Sequence, residues 1–284
     1  MMAMIAFASN SILCRLALAS GAIDAATFTT VRLVSGAVTL LLIAFSTGRA
    51  NRRGAGNWTS GALLFAYAIC FSLAYVVLSI ATGALILFGA VQLTMLIVAI
   101  ATGERPQPLQ WLGLLAALGG FIYLVSPGLE APEPLGSVLM TVSGVAWGVY
   151  TLRGRGNADP ISATTDNFVR AVPFVLIVGA IMMRDAHVTP RGIVLAVVSG
   201  GLTSGIGYVI WYAALRGLTA TRSATVQLTV PVIAALGGVI FMSEAVSLRL
   251  VVATATILGG VGLVLGGKED KRQPTPDTEA AGSD

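Results

Sequence analysis

Apolar residues run through this chain in ten stretches, each about long enough to cross a bilayer and separated by short polar or glycine-containing breaks. They lie near residues 2–19, 26–47, 59–79, 82–102, 109–126, 135–152, 162–183, 192–215, 221–242 and 249–266. Hydrocarbon about 30 Å thick needs roughly 20 helical residues at about 1.5 Å of rise each, so every stretch is predicted to be a membrane-spanning helix. The count depends on residues 79–82, where two runs meet and only Ala81-Thr82-Gly83 marks a turn. The corresponding place later in the chain, Arg216-Gly217-Leu218-Thr219-Ala220-Thr221-Arg222, is plainly a loop, which favours ten spans over nine.

Corresponding places exist because the chain repeats. Arg15 recurs as Arg153 and Arg32 as Arg170 at a spacing of 138, while Glu104 recurs as Glu244 and Leu118-Gly119-Gly120 as Leu258-Gly259-Gly260 at 140. Five spans are an odd number, so a second copy must enter the membrane from the opposite side. The fold predicted is an all-α integral membrane protein of two inverted five-helix repeats, residues 1–126 and 135–266, joined by a linker at 127–134. Inverted repeats put a substrate site near mid-depth where the copies meet, and suit a rocking exchange of inward-open and outward-open forms.

Composition agrees: charged residues are 11%, the AVILMFWYC set is 56% and mean hydropathy is +0.86, which a water-soluble domain of this length could not sustain. The isoelectric point of 9.4 does not signal a nucleic-acid partner, because the basic residues sort by loop instead of forming one soluble face. With a cytoplasmic N-terminus, eleven arginines and lysines fall in inner loops and the tail, and three, Arg184, Arg191 and Arg249, in outer loops. That asymmetry satisfies the positive-inside bias and predicts a multi-pass inner-membrane protein with both termini cytoplasmic.

Cys14 and Cys70 fall inside spans with no CxxC and no histidine nearby, which argues against a disulfide or zinc site. No cofactor or metal is expected. The first span ends on an Ala17-Leu18-Ala19 that imitates a cleavage site, yet lacks a basic leader and carries Arg15, so it reads as a retained helix. The charged, proline-containing residues 267–284 are expected to be disordered.

The stretch from Tyr208 to Leu265 contains Trp211-Tyr212-Ala213-Ala214-Leu215, Ala220-Thr221-Arg222, Gln227-Leu228, Pro231-Val232, Glu244 and Leu258-Gly259-Gly260. It resembles the EamA-type half-domain of the drug/metabolite transporter superfamily. Phe7-Ala8-Ser9-Asn10-Ser11 with Arg15, Arg32, Gly103-Glu104-Arg105-Pro106 and Trp111-Leu112-Gly113 are similar, less strictly, to its partner copy. Val91-Gln92-Leu93-Thr94-Met95 departs from the pattern by lacking the proline that the ninth span has at Pro231. The resemblance covers almost all of residues 1–266 and implies ten helices, inner termini and transport of small solutes, without identifying the solute.

Polar groups inside the apolar runs are the candidate site. Gln92, mid-way along the fourth span, must find a partner or cost energy, and is either a cavity residue or an interhelical tie. Gln227 lies four residues before Pro231, which cannot donate to its carbonyl, so the ninth span carries a polar notch or a packing kink there. Tyr208, Trp211 and Tyr212 share one helical face at i, i+3 and i+4, with Trp147, Tyr150 and Tyr75 as further aromatic candidates. For Trp211 and Tyr212 an interfacial belt is the competing reading. Asn10 adds a polar group to the first span. Asp166 and Arg170 have the spacing of a helical ion pair within the seventh. Arg15 and Arg32 are placed near the outer interface, where long side chains snorkel. Gly144 with Gly148, Gly201 with Gly205, and Gly262 with Gly266 are expected to be helix contacts.

These features point to a secondary carrier or facilitator for a metabolite, amino acid or drug-like compound, with the bilayer and a small solute as its partners and oligomerisation left open. An intramembrane lipid enzyme is the competing class, but the sole histidine, His187, is in a predicted outer loop and neither HExxH nor GxSxG occurs. A non-transporting sensor or assembly partner is the third. The first span has no acidic residue, leaving Asp166 as the acidic candidate for proton coupling. As the neutralising partner of Arg170, it is expected to tolerate Asp166→Asn with transport in proteoliposomes still active and its pH profile little changed; loss of the pH response with binding intact would reverse that assignment.

Overall fold

A computed structural model describes residues 1–49, 56–102, 108–126, 131–155, 157–182, 186–215 and 229–266, together with Ser223, Val226 and Gln227. The helices are α1 Met2–Ala19, α2 Ala25–Ser46, α3 Trp58–Val77, α4 Ile80–Ala101, α5 Pro108–Val125, α6 Pro134–Gly154, α7 Pro160–Ile181, α8 Pro190–Leu215, α9 Thr229–Met242 and α10 Leu248–Gly266. Among the described residues no strand forms beyond a single bridge between Ile23 and Val188. Seven helices, α1 to α4 and α6 to α8, are long and apolar enough to cross a membrane, and shorter apolar stretches lie in α5, α9 and α10. All-helical structure is what lipid requires, since each backbone N–H and C=O then finds its partner within the segment.

Short polar residues start the helices. Asp24, Asn57, Ser79, Asp159 and Thr189 each accept a hydrogen bond from a backbone N–H in the first turn of the helix that follows. Pro134, Pro160 and Pro190 occupy first turns, where a missing N–H costs nothing. The break between α3 and α4 falls at Leu78 and Ser79, two residues before the Ala81-Thr82-Gly83 expected from sequence. Ser79 is the reason: its side chain caps Thr82 N–H, and Gly83 serves instead to admit the ring of Tyr75, whose Cε1 lies 2.5 Å from where a Cβ would be.

In packing, α3 lies against α6 and α7, α4 against α6 and α9, α1 against α8 and α9, α2 against α7 and α8, and α5 against α10. Glycines set several of these approaches. A Cβ at Gly144 would stand 2.5 Å from the Leu87 carbonyl, and one at Gly148 3.0 Å from Thr94 Cβ. In the repeated triplets the last glycine does the same work twice: Gly120 meets Thr256 and Ile257 of α10, and Gly260 meets Gly113 and Ala117 of α5. Gly262 and Gly266 face open space, so that pair is not a helix contact among the described residues.

The eighth span holds a feature that apolar patterning does not reveal. Residues Ser199–Ile206 form a π-helical segment between the α-helical pieces Pro190–Val198 and Gly207–Leu215. Wider winding turns Ser199, Thr203 and Ser204 inward together, and presses Gly200 onto α2, where a Cβ would lie 2.0 Å from Ser35 Oγ and 2.1 Å from the Arg32 carbonyl. The Glu104 region, the 216–222 loop and residues 267–284 lie outside the described residues.

Gly200→Ala is expected to destabilise the protein by about 1–3 kcal/mol through overpacking. Gly259→Ala, which enters open space, should be neutral or slightly stabilising; thermal unfolding in detergent compares the two.

Candidate functional site

At the crossing of α1, α2, α3 and α8 a guanidinium is buried in an otherwise apolar interior. Arg32 is 1% exposed. Its Nε donates to Ser204 Oγ at 3.1 Å, and its Nη2 to Tyr67 Oη at 3.2 Å and to Tyr208 Oη at 3.5 Å. The charge also lies over the rings of Tyr67 and Phe71, 5.3 and 5.0 Å from their centroids. Nη1 is buried without a hydrogen-bond partner. Snorkelling, the expectation from sequence, is overturned: α2 enters the bundle with Arg32 facing α3 and α8, not lipid. Insertion scales put an arginine at mid-span at about 2.5–3.5 kcal/mol, and hydroxyls and ring faces offset that only in part.

A second polar group adjoins the first. Asn10 Nδ2 donates to Tyr67 Oη at 3.4 Å, and Asn10 Oδ1 accepts from Ser199 Oγ and Thr203 Oγ1. Tyr67 thus accepts from both Asn10 and Arg32, while the π-helical segment supplies hydroxyls to both. The helical patterning of α3 carries a sign of this arrangement, since Tyr67, Phe71 and Tyr75 stand four residues apart on one face. Tyr75 is among the aromatic candidates from sequence, whereas Tyr67, Phe71 and Ser204 are not.

Aromatic rings continue from this centre in both directions. Tyr75 packs on Phe71 at 4.7 Å, Phe71 on Tyr67 at 5.4 Å, Tyr67 on Trp147 at 5.0 Å, Trp147 on Tyr150 at 5.6 Å and Tyr150 on Tyr212 at 5.7 Å. Tyr208 joins the file against Trp147 at 4.8 Å, and Phe7 packs edge-on against Trp147, Tyr208 and Trp211. Trp211 and Tyr212 are buried, so they belong to the interior and not to an interfacial belt. Their face of α8 is turned onto α1 and α6 by packing, which the spacing alone does not decide.

Gln227 is fully buried, accepting from Trp147 Nε1 at 3.0 Å and lying 3.8 Å from Met95 Sδ through its Nε2. Gln92 is buried on α4, one turn before Met95. Asp166 and Arg170 pair at 3.1 Å with each side chain 26% exposed. Asp166 also accepts from Gly56 N–H and Asn167 from Asn57 N–H, which puts the charge pair beside the start of α3 and away from the Arg32 centre.

At this same end a small open hollow is lined by Asn57, Ser60, Tyr150, Arg153, Asn167 and Tyr212, among others. Arg153 reaches Ser60 and Asn57 across it.

A family model described as the EamA-like transporter family matches residues 134–266. Over 264 residues the chain is 47% identical to an uncharacterized protein of Pseudomonas aeruginosa, covering 93% of this chain and 92% of that one. The chain belongs to the EamA-like transporter family. It is also 29% identical over 179 residues to the threonine/homoserine exporter RhtA of Salmonella typhimurium, spanning 60% of this chain and 59% of the exporter. An uncharacterized transporter of Archaeoglobus fulgidus is 25% identical over 70% of the chain and 72% of its own length. Among solved structures, a crystal structure matches with a TM-score of 0.66 at 22% identity, over 93% of this chain and 97% of that one, a likeness of fold.

In this EamA-family chain the end opposite the pocket is closed by contacts between loops. Asp24 N–H donates to the His187 carbonyl and His187 N–H to Asp24 Oδ2, while Thr189 N–H donates to the Ala22 carbonyl. Glu244 accepts from Ile80 N–H through both oxygens, at 2.9 and 2.8 Å. Arg15 lies 3.9 Å from Glu244 and donates to the carbonyls of Tyr75 and Val76 at the end of α3, where the helix dipole favours a cation. Arg15 is therefore a clasp and not a snorkelling side chain.

Partial burial raises the Asp24 carboxyl pKa, but hydrogen bonds from Thr27 and His187 outweigh it and hold the group below its ordinary value. A depressed pKa means that this clasp stabilises fully above the unfolded carboxylate value, about pH 4, and is lost as pH falls through the lower folded value. Asp24→Ala removes the α2 cap and the side-chain bond to His187 N–H, leaving the backbone bond to the His187 carbonyl. It is expected to raise labelling of a cysteine placed at Ile23 several-fold at neutral pH, relative to the same cysteine with Asp24 intact.

Proposed function

We propose that this protein is a secondary carrier or facilitator that moves a small organic solute by alternating access between two inverted five-helix halves, α1 to α5 and α6 to α10. The packing pattern supports it most. Exchanging the two halves turns α1 on α8 into α6 on α3, α1 on α9 into α6 on α4, and α2 on α8 into α7 on α3. The pairs α2 with α7, α4 with α9 and α5 with α10 exchange into themselves. That is the behaviour expected of a pseudo-twofold axis in the membrane plane.

The ends of the bundle support the same cycle. One is clasped through Asp24, His187, Glu244 and Arg15, each contact joining the first half to the second, and the other carries the pocket beside Tyr150 and Tyr212. With both termini cytoplasmic, as the loop charges favour, the pocket opens inward and the clasp closes the outer side. Solute enters beside Tyr150, reaches the ring file at Trp147 and Tyr208, and leaves once the clasp parts. Export of an amino acid or related metabolite is the class and direction favoured by the similarity to a threonine/homoserine exporter.

Purified protein in liposomes should exchange amino acids or related metabolites. With Cys14 and Cys70 replaced, single cysteines at Ile23 and Asn157 should be reached from opposite faces, with reactivities that shift in opposite senses when solute is added. Absence of exchange for any solute, or both sites labelled from one face, would overturn the proposal.

A further inference from the structure

We infer that Arg32 is an anion subsite of the carrier, and that the solute it takes is an organic acid or amino acid held by its carboxylate. The inference rests on the carrier reading above and deepens it. Arginine stays charged in any protein environment, so the interior around α2 holds a fixed positive charge. Every group that Arg32 contacts is neutral: Ser204, Tyr67, Tyr208 and the face of Phe71. The ion pairs of the described residues use Arg15, Arg49 and Arg170, and none reaches Arg32.

A structural arginine in lipid is ordinarily matched by a carboxylate or by carbonyls at a helix end. Two other arginines of this chain follow that rule. Arg15 has Glu244 and two carbonyls, and Arg249 donates to the carbonyls of Tyr123 and Ser126 at the end of α5. Arg32 departs from it, holding Nη1 buried and without a partner while Nε and Nη2 are anchored. Anchoring by hydroxyls fixes the plane of the guanidinium without neutralising it. The two N–H bonds of Nη1 are left to a ligand oxygen, and a carboxylate supplies that oxygen together with the neutralising charge.

The surroundings specify the rest of the ligand. Tyr67 and Tyr208 accept from Arg32 and meet each other through their hydroxyls, which leaves one phenolic proton that can be donated to an anion. Phe7, Trp147 and Phe168 pack around Tyr208 and offer ring faces and edges to an apolar or aromatic remainder. A ring path links the subsite to the pocket, since Tyr150 lines the pocket and touches Trp147, which packs on both Tyr67 and Tyr208. Arg32 also bonds both halves at once, through Tyr67 on α3 and through Ser204 and Tyr208 on α8, so a bound carboxylate competes for the contacts that hold the halves together.

The test compares each acid with its primary amide, phenylalanine with phenylalaninamide and phenylacetate with phenylacetamide, on full-length purified protein. Binding is read by quenching of tryptophan fluorescence and movement by exchange in liposomes. The acids are expected to bind at least tenfold more tightly than the amides. Arg32→Gln should bring the ratio near one, and Arg32→Lys should keep part of the preference.

Equal binding of acid and amide by wild-type protein, which needs no variant to fold, would overturn the subsite. So would an undiminished preference in Arg32→Gln, quenching by no acid at millimolar concentration, or displacement of the acid by chloride or inorganic phosphate as readily as by another carboxylate. Acid-selective binding without exchange would refute the carrier and support the subsite. Exchange of acids and amides at equal rates, with equal binding, would refute the subsite and leave the carrier standing.

Discussion

Hydrocarbon offers a polypeptide no hydrogen bonds, and the rest of this structure depends on that constraint. Backbone groups are satisfied by winding every long apolar run into a helix. Side-chain groups turn inward, and among them Asn10, Arg32, Tyr67, Ser199, Thr203 and Ser204 find one another in the interior, while Gln227 pairs with Trp147. Between helices there is no hydrophobic gain over lipid, so close packing must supply the cohesion. Gly144, Gly148, Gly200 and Gly260 do this by letting backbone touch backbone or side chain with no room for a Cβ.

The same constraint divides the polar contacts into two kinds. At the clasped end charge meets opposite charge or backbone: Asp24 with His187 N–H, Glu244 with Ile80 N–H and Arg15, Arg15 with two carbonyls. Such contacts stand near water, where parting them exposes groups that solvent can satisfy. At the centre the contacts are neutral hydroxyls around one cation, removed from water and incompletely matched. For the proposed carrier, a clasp that opens at modest cost and a centre that gains from an added anion would be complementary.

The π-helical stretch of α8 ties the two together. It turns three hydroxyl side chains toward α1 and α2, and it ends where Tyr208 begins the aromatic face of the same helix. A regular α-helix through Ser199 to Ile206 would spread Ser199, Thr203 and Ser204 differently around its axis. The glycines within the stretch permit both the wider winding and the approach of α2.

What the sequence determined by itself is what depends on local composition and on repetition. Apolar run length predicts the helices, capping residues and prolines mark most of their starts, and motif spacing identifies the family. Asn10, Trp147, Tyr150, Tyr208 and Gln227 were legible as candidates because a polar or amphipathic side chain in an apolar run is conspicuous wherever it faces. Only the tertiary structure decided the direction in which each side chain points, because azimuth around a helix acquires meaning from the neighbours it meets. Arg32 and Arg15 look alike as arginines near span ends, yet one enters the centre and the other closes a clasp. Tyr67 and Ser204 are unremarkable residues until α2 brings a guanidinium between them. Glycine pairs of identical spacing separate for the same reason: Gly144 and Gly148 have a helix opposite them, and Gly262 and Gly266 have none among the described residues.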